Sequence, residues 1–178
     1  MKNYKRVNQT MRSGFSMLTA IFVIVLLATV SALIVTISGK TVKATSFQYK
    51  KEQAILYAKS YTELAIMAAS ANDAQDGTNC VETITGSIGL NPVNGDGFDI
   101  ITNISYIGNN LQCSASRIVL PAGTVITDSV NGDTIIQIVI DVFVRYKDPD
   151  AVDAMISAGT STVNAPWITF HRRTLQKL

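Results

Sequence analysis

The chain is poor in the residues that chemistry usually recruits. It has one histidine, His171, one tryptophan and two cysteines, Cys80 and Cys113, in 178 residues. A lone His without a CxxC pair supplies too few soft ligands for zinc. No Ser or Cys stands in a nucleophile motif, so an enzymatic reading has little to rest on. Charge is scarce as well: 16% of residues are charged, against roughly 25% in an ordinary soluble domain. A hydrophobic share of 47% excludes a disordered chain. The length allows one domain of moderate core, with or without an appendage, and excludes two large catalytic domains. Scarcest of all is negative charge near the start. Residues 1–51 hold eight basic residues and no acid, and residues 52–178 hold the other seven against all thirteen acids. The formal net charge of +2 therefore conceals a basic N-terminal part and a distal part of −6. Such a basic part suits nucleic acid or an anionic membrane surface, and hydropathy decides between them.

Residues 15–37, FSMLTAIFVIVLLATVSALIVTI, run for 23 residues without a charge, a proline or a glycine. As a helix that stretch reaches about 35 Å, against a hydrocarbon core of about 30 Å. A secretory signal has a shorter apolar core and a small-residue cleavage site behind it. Val30, Ser31 and Ala32 weakly imitate such a site, but residues 33–37 continue the apolar run. Four basic residues precede the span and four follow it, so the positive-inside rule leaves orientation tied. A cysteine pair in an exported domain is most simply a disulfide, which points the distal part outward. Two reduced, buried cysteines are the alternative. A bond would close a loop of roughly 34 residues and contribute about 3 to 4 kcal/mol.

Ahead of the span stands the leader MKNYKRVNQTMRSG, with Lys2, Lys5, Arg6 and Arg12 and a terminal Gly14, followed by Phe15, Ser16, Met17, Leu18 and Thr19. This arrangement resembles the type IV prepilins and the pseudopilins of type II secretion, over about the first 70 residues. The resemblance implies cleavage by a prepilin peptidase on the cytoplasmic face between Gly14 and Phe15, then N-methylation of Phe15. It also resolves the orientation tie: a single pass through a bacterial inner membrane, leader in the cytoplasm and distal domain in the periplasm. The implied partners are other pilin or pseudopilin subunits, met through the N-terminal helix, and the inner-membrane assembly platform. Gly14 suits the role because it has no side chain to obstruct a protease, while the leader charges hold that bond at the membrane surface. The family usually places Glu fifth in the mature chain, where this sequence has Thr19. A carboxylate in the bilayer is expensive unless paired, so its absence removes the demand for a partner. Certain minor pseudopilins at filament tips also lack it, which implies a minor, tip-associated or initiating subunit; an ordinary subunit that tolerates Thr is the alternative. Secretion, pilus extension and DNA uptake all remain open. From another class, a monomeric membrane-anchored binding domain whose leader is never cut accounts for the same span.

The segmentation that follows is a leader at 1–14, a transmembrane helix at 15–37, its periplasmic continuation at 38–72 and a distal domain at 73–178. The fold class is α+β, a long N-terminal helix packed on an antiparallel sheet. Ala54, Tyr57, Ala58, Tyr61, Leu64, Ala65, Ala68 and Ala71 recur at helical spacing and predict one apolar face. Thr62 falls on the other side, as do Ile55 and Ile66, which are candidates to meet another subunit. Strict alternation over 134–147 predicts a strand with Ile136, Ile138, Ile140, Val142, Val144 and Tyr146 on one face. The turn signal at 130–133 predicts a hairpin partner at 124–130. Residues 98–107 and 111–120 read as a second hairpin, 167–174 as a last strand and 151–158 as a short helix. Asn94, Asp96 and Asp99 resemble a fragment of a calcium loop but lack the full ligand spacing and the terminal Glu. A turn is the plainer reading, and because some pseudopilins bind calcium the three stand as a candidate calcium site; no other cofactor is expected. His171, Arg172, Arg173 and Lys177 form a terminal cluster that would suit DNA in a competence pilus or, more plainly, a solvated end.

Overall fold

A computed structural model describes residues 13–72, 80–108, 111, 113–120, 127 and 136–178. Its elements are a helix α1 at Ser13–Ser70, strands β1 at Thr83–Asn91, β2 at Asp96–Ile107 and β3 at Gln137–Lys147, a short helix α2 at Pro149–Ser157, and a strand β4 at Trp167–Lys177. The strands form one antiparallel sheet in the order β1-β2-β3-β4. The fold is therefore α+β, a long helix and a four-stranded antiparallel meander. The chain divides into two compact units, residues 1–46 and residues 47–178.

In the second unit the core follows from two periods meeting. Along β2 the residues Phe98, Ile100, Thr102, Ile104 and Tyr106 are buried, and along β3 the residues Ile138, Ile140, Val142, Val144 and Tyr146. This is the period-2 pattern that puts alternate side chains on one face. Against that face lies a helical stripe of Ala54, Ala58, Ala65 and Ala69, each 0–1% exposed. The sheet supplies the large side chains, each worth about 1.5–3 kcal/mol when buried, and alanines let the helix come close. Thr62 belongs to this buried stripe, contrary to its expected polar side, because its hydroxyl is returned to the Ala58 carbonyl at 2.7 Å. Ile66 also packs against the core. Leu64 and Ala71, expected on the apolar face, are exposed. The stripe is centred on alanines 54, 58, 65 and 69, and at 100° per residue a neighbour of Ala65 such as Leu64 is turned well away from it.

The predicted strands at 98–107, 134–147 and 167–174 correspond to β2, β3 and β4, and the helix at 151–158 to α2. The partner expected for β2 at 111–120 does not form. Its described residues hold a 3₁₀ turn at Ala115–Arg117 and one parallel bridge from Ile118 to Tyr106. The reason is occupancy: β2 already has β1 on one side and β3 on the other, while the Ser114 amide is drawn to Glu82 Oε1 at 2.9 Å. The expected strand at 124–130 and turn at 130–133 lie outside the described residues, Thr127 excepted.

One end of the sheet is tied by loops. The β1–β2 connection is a 3₁₀ turn at Pro92–Asn94 closed by Gly95, whose φ of 98° requires a residue without Cβ. Between β3 and β4, Asp148 caps α2 by accepting from the Asp150 amide at 3.0 Å, with Pro149 opening the helix. Lys147 is buried, and its ammonium donates to the carbonyls of Val163 at 2.7 Å and Ala165 at 2.6 Å while standing 4.3 Å from the Trp167 ring centre. Both carbonyls and the ring face thus take the place of water around the cation.

Candidate functional site

The candidate site is the surface of α1. From Met17 to Val42 its large side chains, among them Leu18, Ile21, Phe22, Ile24, Leu27, Leu33 and Val35, are exposed. This is one helix long and apolar enough to cross a membrane, and none of its apolar window is buried in the protein. Polar groups inside the apolar stretch are satisfied locally. Thr29 donates to the Leu26 carbonyl at 2.8 Å, Ser31 to Leu27 at 2.7 Å, Thr36 to Ala32 at 2.8 Å, Thr41 to Ile37 at 3.0 Å and Thr45 to Thr41 at 2.9 Å. Returning hydroxyls to the preceding turn is what a helix needs where no water is present. Thr19 is engaged as well and lies on an exposed part of the helix. Gly14 and Phe15 fall within α1. The leader residues Lys2, Lys5, Arg6 and Arg12 lie outside the described residues.

In the second unit the same helix carries a further apolar line. Tyr49, Leu56 and Met67 are 60–64% exposed and fall within about 20° of one another at 100° per residue, opposite the alanine stripe. Leu64 borders them. These residues, rather than Ile66, are what the helix offers outward, and Ile55 is half-buried. Their spacing in the sequence, 49, 56 and 67, repeats at helical period but singles out a face only once the alanine stripe is seen against the sheet.

Cys80 and Cys113 form a disulfide, with Cα atoms 5.2 Å apart. The bond joins the stretch before β1 to the turn before Ile118, where Arg117 reaches Thr83 Oγ1 at 3.0 Å and Asn103 Oδ1 at 3.2 Å. The Ser114 hydrogen bonds hold the carboxyl of Glu82 below the usual range.

Each calcium candidate has its own place around the β1–β2 connection and β2. The Asn94 amide donates to Asn91 Oδ1 at 3.3 Å within the turn, Asp96 opens β2 on the exposed side, and Asp99 is engaged by the Arg145 guanidinium. Among the described residues no group of three or more His, Cys, Asp or Glu side chains is placed to hold a metal ion.

The terminal cluster is divided by strand alternation. His171 and Arg173 pair with Phe143 and Asp141 on the outer face, whereas Arg172 pairs with Val142 on the helix side. Asp141 accepts from Arg173 at 2.7 and 2.9 Å and stands 2.7 Å from His171 Nε2. The Arg173 hydrogen bonds, with help from His171, hold its carboxyl below the usual range although partial burial pulls the other way. The His171 ring stacks on Phe143 at 4.4 Å. Two of the expected DNA-contacting side chains are thus turned onto an aspartate of their own sheet. Asp141 was missed in the sequence, although its odd number places it on the face of 171 and 173 once the strand register is known.

A scan against protein-family models, a search of curated proteins and a search of solved structures each found no match.

Proposed function

We propose that the chain is a structural subunit of the pilin-like class: a minor pseudopilin or pilin-like protein of a type II secretion or type IV pilus-like envelope machine. In this reading prepilin peptidase cuts after Gly14, Phe15 becomes the methylated N-terminus, and the subunit assembles laterally through α1 from a bacterial inner membrane. It performs no chemistry of its own. One observation carries the reading: a basic leader ending in Gly14 stands directly before an uncharged 23-residue run that opens a single helix reaching to Ser70, whose far part is buried against a four-stranded sheet. A binding domain on a simple anchor has no need for a helix that continues into its own core. Thr19 in place of Glu removes the intramembrane carboxylate that would need a partner, which supports a tip or initiating position.

The deciding measurement is the mature N-terminus, read by mass spectrometry from cells with active prepilin peptidase. Methylated Phe15 is the expected result, and an intact Met1 would overturn the reading in favour of an uncut, monomeric anchor. Position within a filament is a separate matter, checked by labelling the subunit on assembled filaments. Label confined to one end is expected, and uniform decoration would remove the tip assignment.

A further inference from the structure

The two edges of the sheet are built differently. At β1 the register shifts between Ile88 and Asn91, an irregularity of the kind that spoils an edge for further pairing. β4 has none: it pairs with β3 without a shift from Trp167 to Lys177 and holds no glycine or proline. Which of its backbone groups are spent follows from parity. The Asp148 amide donates to the Pro166 carbonyl and the Leu178 amide to the Ile136 carbonyl. On β4, therefore, the even-numbered residues bond to β3 and the odd-numbered ones turn their N–H and C=O away from it. Those of Thr169, His171, Arg173 and Leu175 form a row along the edge, and among the described residues no backbone group meets them.

We propose that this edge takes an extended, acidic segment of a partner protein as a fifth strand. The charge of the occupant follows from Arg172. Strand alternation puts its side chain on the helix side, in the row of Val142, where its Nε is buried without a hydrogen-bond partner. Arg173 is held by Asp141, whereas among the described residues Arg172 enters no ion pair. A charge turned inward on an edge strand turns away apolar and basic strands. A carboxylate on the incoming strand, beside Arg172 and on the same face, converts that penalty into a charge-assisted hydrogen bond. A second copy of β4 does not fit. Residues 167–177 hold Arg172, Arg173 and Lys177 and no acid, and the antiparallel register centred on the strand sets Arg172 against itself, like charge on like. Ile168 and Phe170, half-buried at the rim of the core, offer the incoming strand an apolar surface on that same side.

Residue-resolved amide exchange of the full chain in detergent micelles tests both the open edge and its occupant. In the free chain the amides of Thr169, His171, Arg173 and Leu175 should be protected at least about tenfold less than those of Phe170, Arg172 and Thr174. The probe is a capped heptapeptide of alternating threonine and valine, its central valine replaced by glutamate. At saturation it should slow the odd-numbered amides about tenfold, and the same peptide with a central lysine should leave them unchanged. Arg172→Gln should abolish that preference while the even-numbered amides stay protected, which shows the variant folded. Odd-numbered amides already protected in the dilute free chain would overturn the open edge. No slowing by the glutamate peptide, equal slowing by the two peptides, or a preference that survives Arg172→Gln would overturn the acidic occupant. Protection that rises with chain concentration alone would assign the edge to a second copy and overturn it equally.

Discussion

Between Met17 and Val42 the helix displays Leu, Ile, Val and Phe around its circumference, whereas between Ala54 and Ala69 it buries alanines and leaves Leu56 and Met67 outside. Backbone and period are the same in both stretches. What differs is which partner holds the large side chains. In the far stretch the sheet holds them, and the helix contributes smallness; in the near stretch the helix holds them and nothing in its own unit covers them. An apolar surface of that extent marks association or a membrane, so the near stretch finds its cover outside its own unit and the far stretch within it.

The largest effect expected on this contrast lies in the second unit. Replacing Cys80 and Cys113 by Ala opens a loop of 33-residue separation and should cost about 3 to 4 kcal/mol, read as a lower urea midpoint of the sheet core, while membrane retention of the helix stays unchanged. Next, Leu26→Lys should disfavour insertion by about 2.5 to 3.5 kcal/mol at the centre of the run, visible as a loss of carbonate-resistant chain. Leu56→Lys, outside the apolar run and 60% exposed, should leave both insertion and unfolding nearly untouched. Ala58→Leu should then cost about 1 to 3 kcal/mol by overpacking a fully buried position, whereas Ala28→Leu on the exposed stretch should cost nothing measurable in the same urea titration. Equal effects at the two alanines would break the comparison outright.

The smallest effect is electrostatic. Asp141 is held below its ordinary range by Arg173, so the pair is intact at neutral pH. Asp141→Asn should cost about 1 kcal/mol, the scale of a bidentate pair near the surface. Because the carboxyl is depressed in the folded state, the difference between wild type and variant should be full above about pH 4 and close as acid protonates Asp141 below that. Urea midpoints at a series of pH values measure it.

The parts legible in the sequence were those where one period repeats without interruption. Residues 15–37 needed no tertiary information, and the alternation from Ile138 to Tyr146 announced its buried face directly. β1 was not legible. Its sequence, TITGSIGLN, has two glycines and no aromatic residue, and it reads as a connector. Gly86 becomes intelligible only with α1 in place, since any side chain there would collide with the Tyr61 hydroxyl. The misassignment of 111–120 has the same origin: an apolar run can be counted locally, but which side of β2 is vacant cannot. Lys147 was equally opaque, because a lysine at the end of a strand gives no local sign that two carbonyls and an indole will surround it. At the candidate site, Gly14, Phe15 and Thr19 were found through resemblance, whereas Tyr49, Leu56 and Met67 emerged only after the alanine face had been fixed against the sheet.

The hydroxyls of Thr29, Ser31, Thr36 and Thr41, each folded back on the preceding turn, leave the near stretch of α1 without outward hydrogen-bonding marks at those positions. The near stretch therefore offers an apolar neighbour a packing surface without a hydrogen-bonding partner at those positions, so the side-chain shapes along the helix are left to decide how such a neighbour fits.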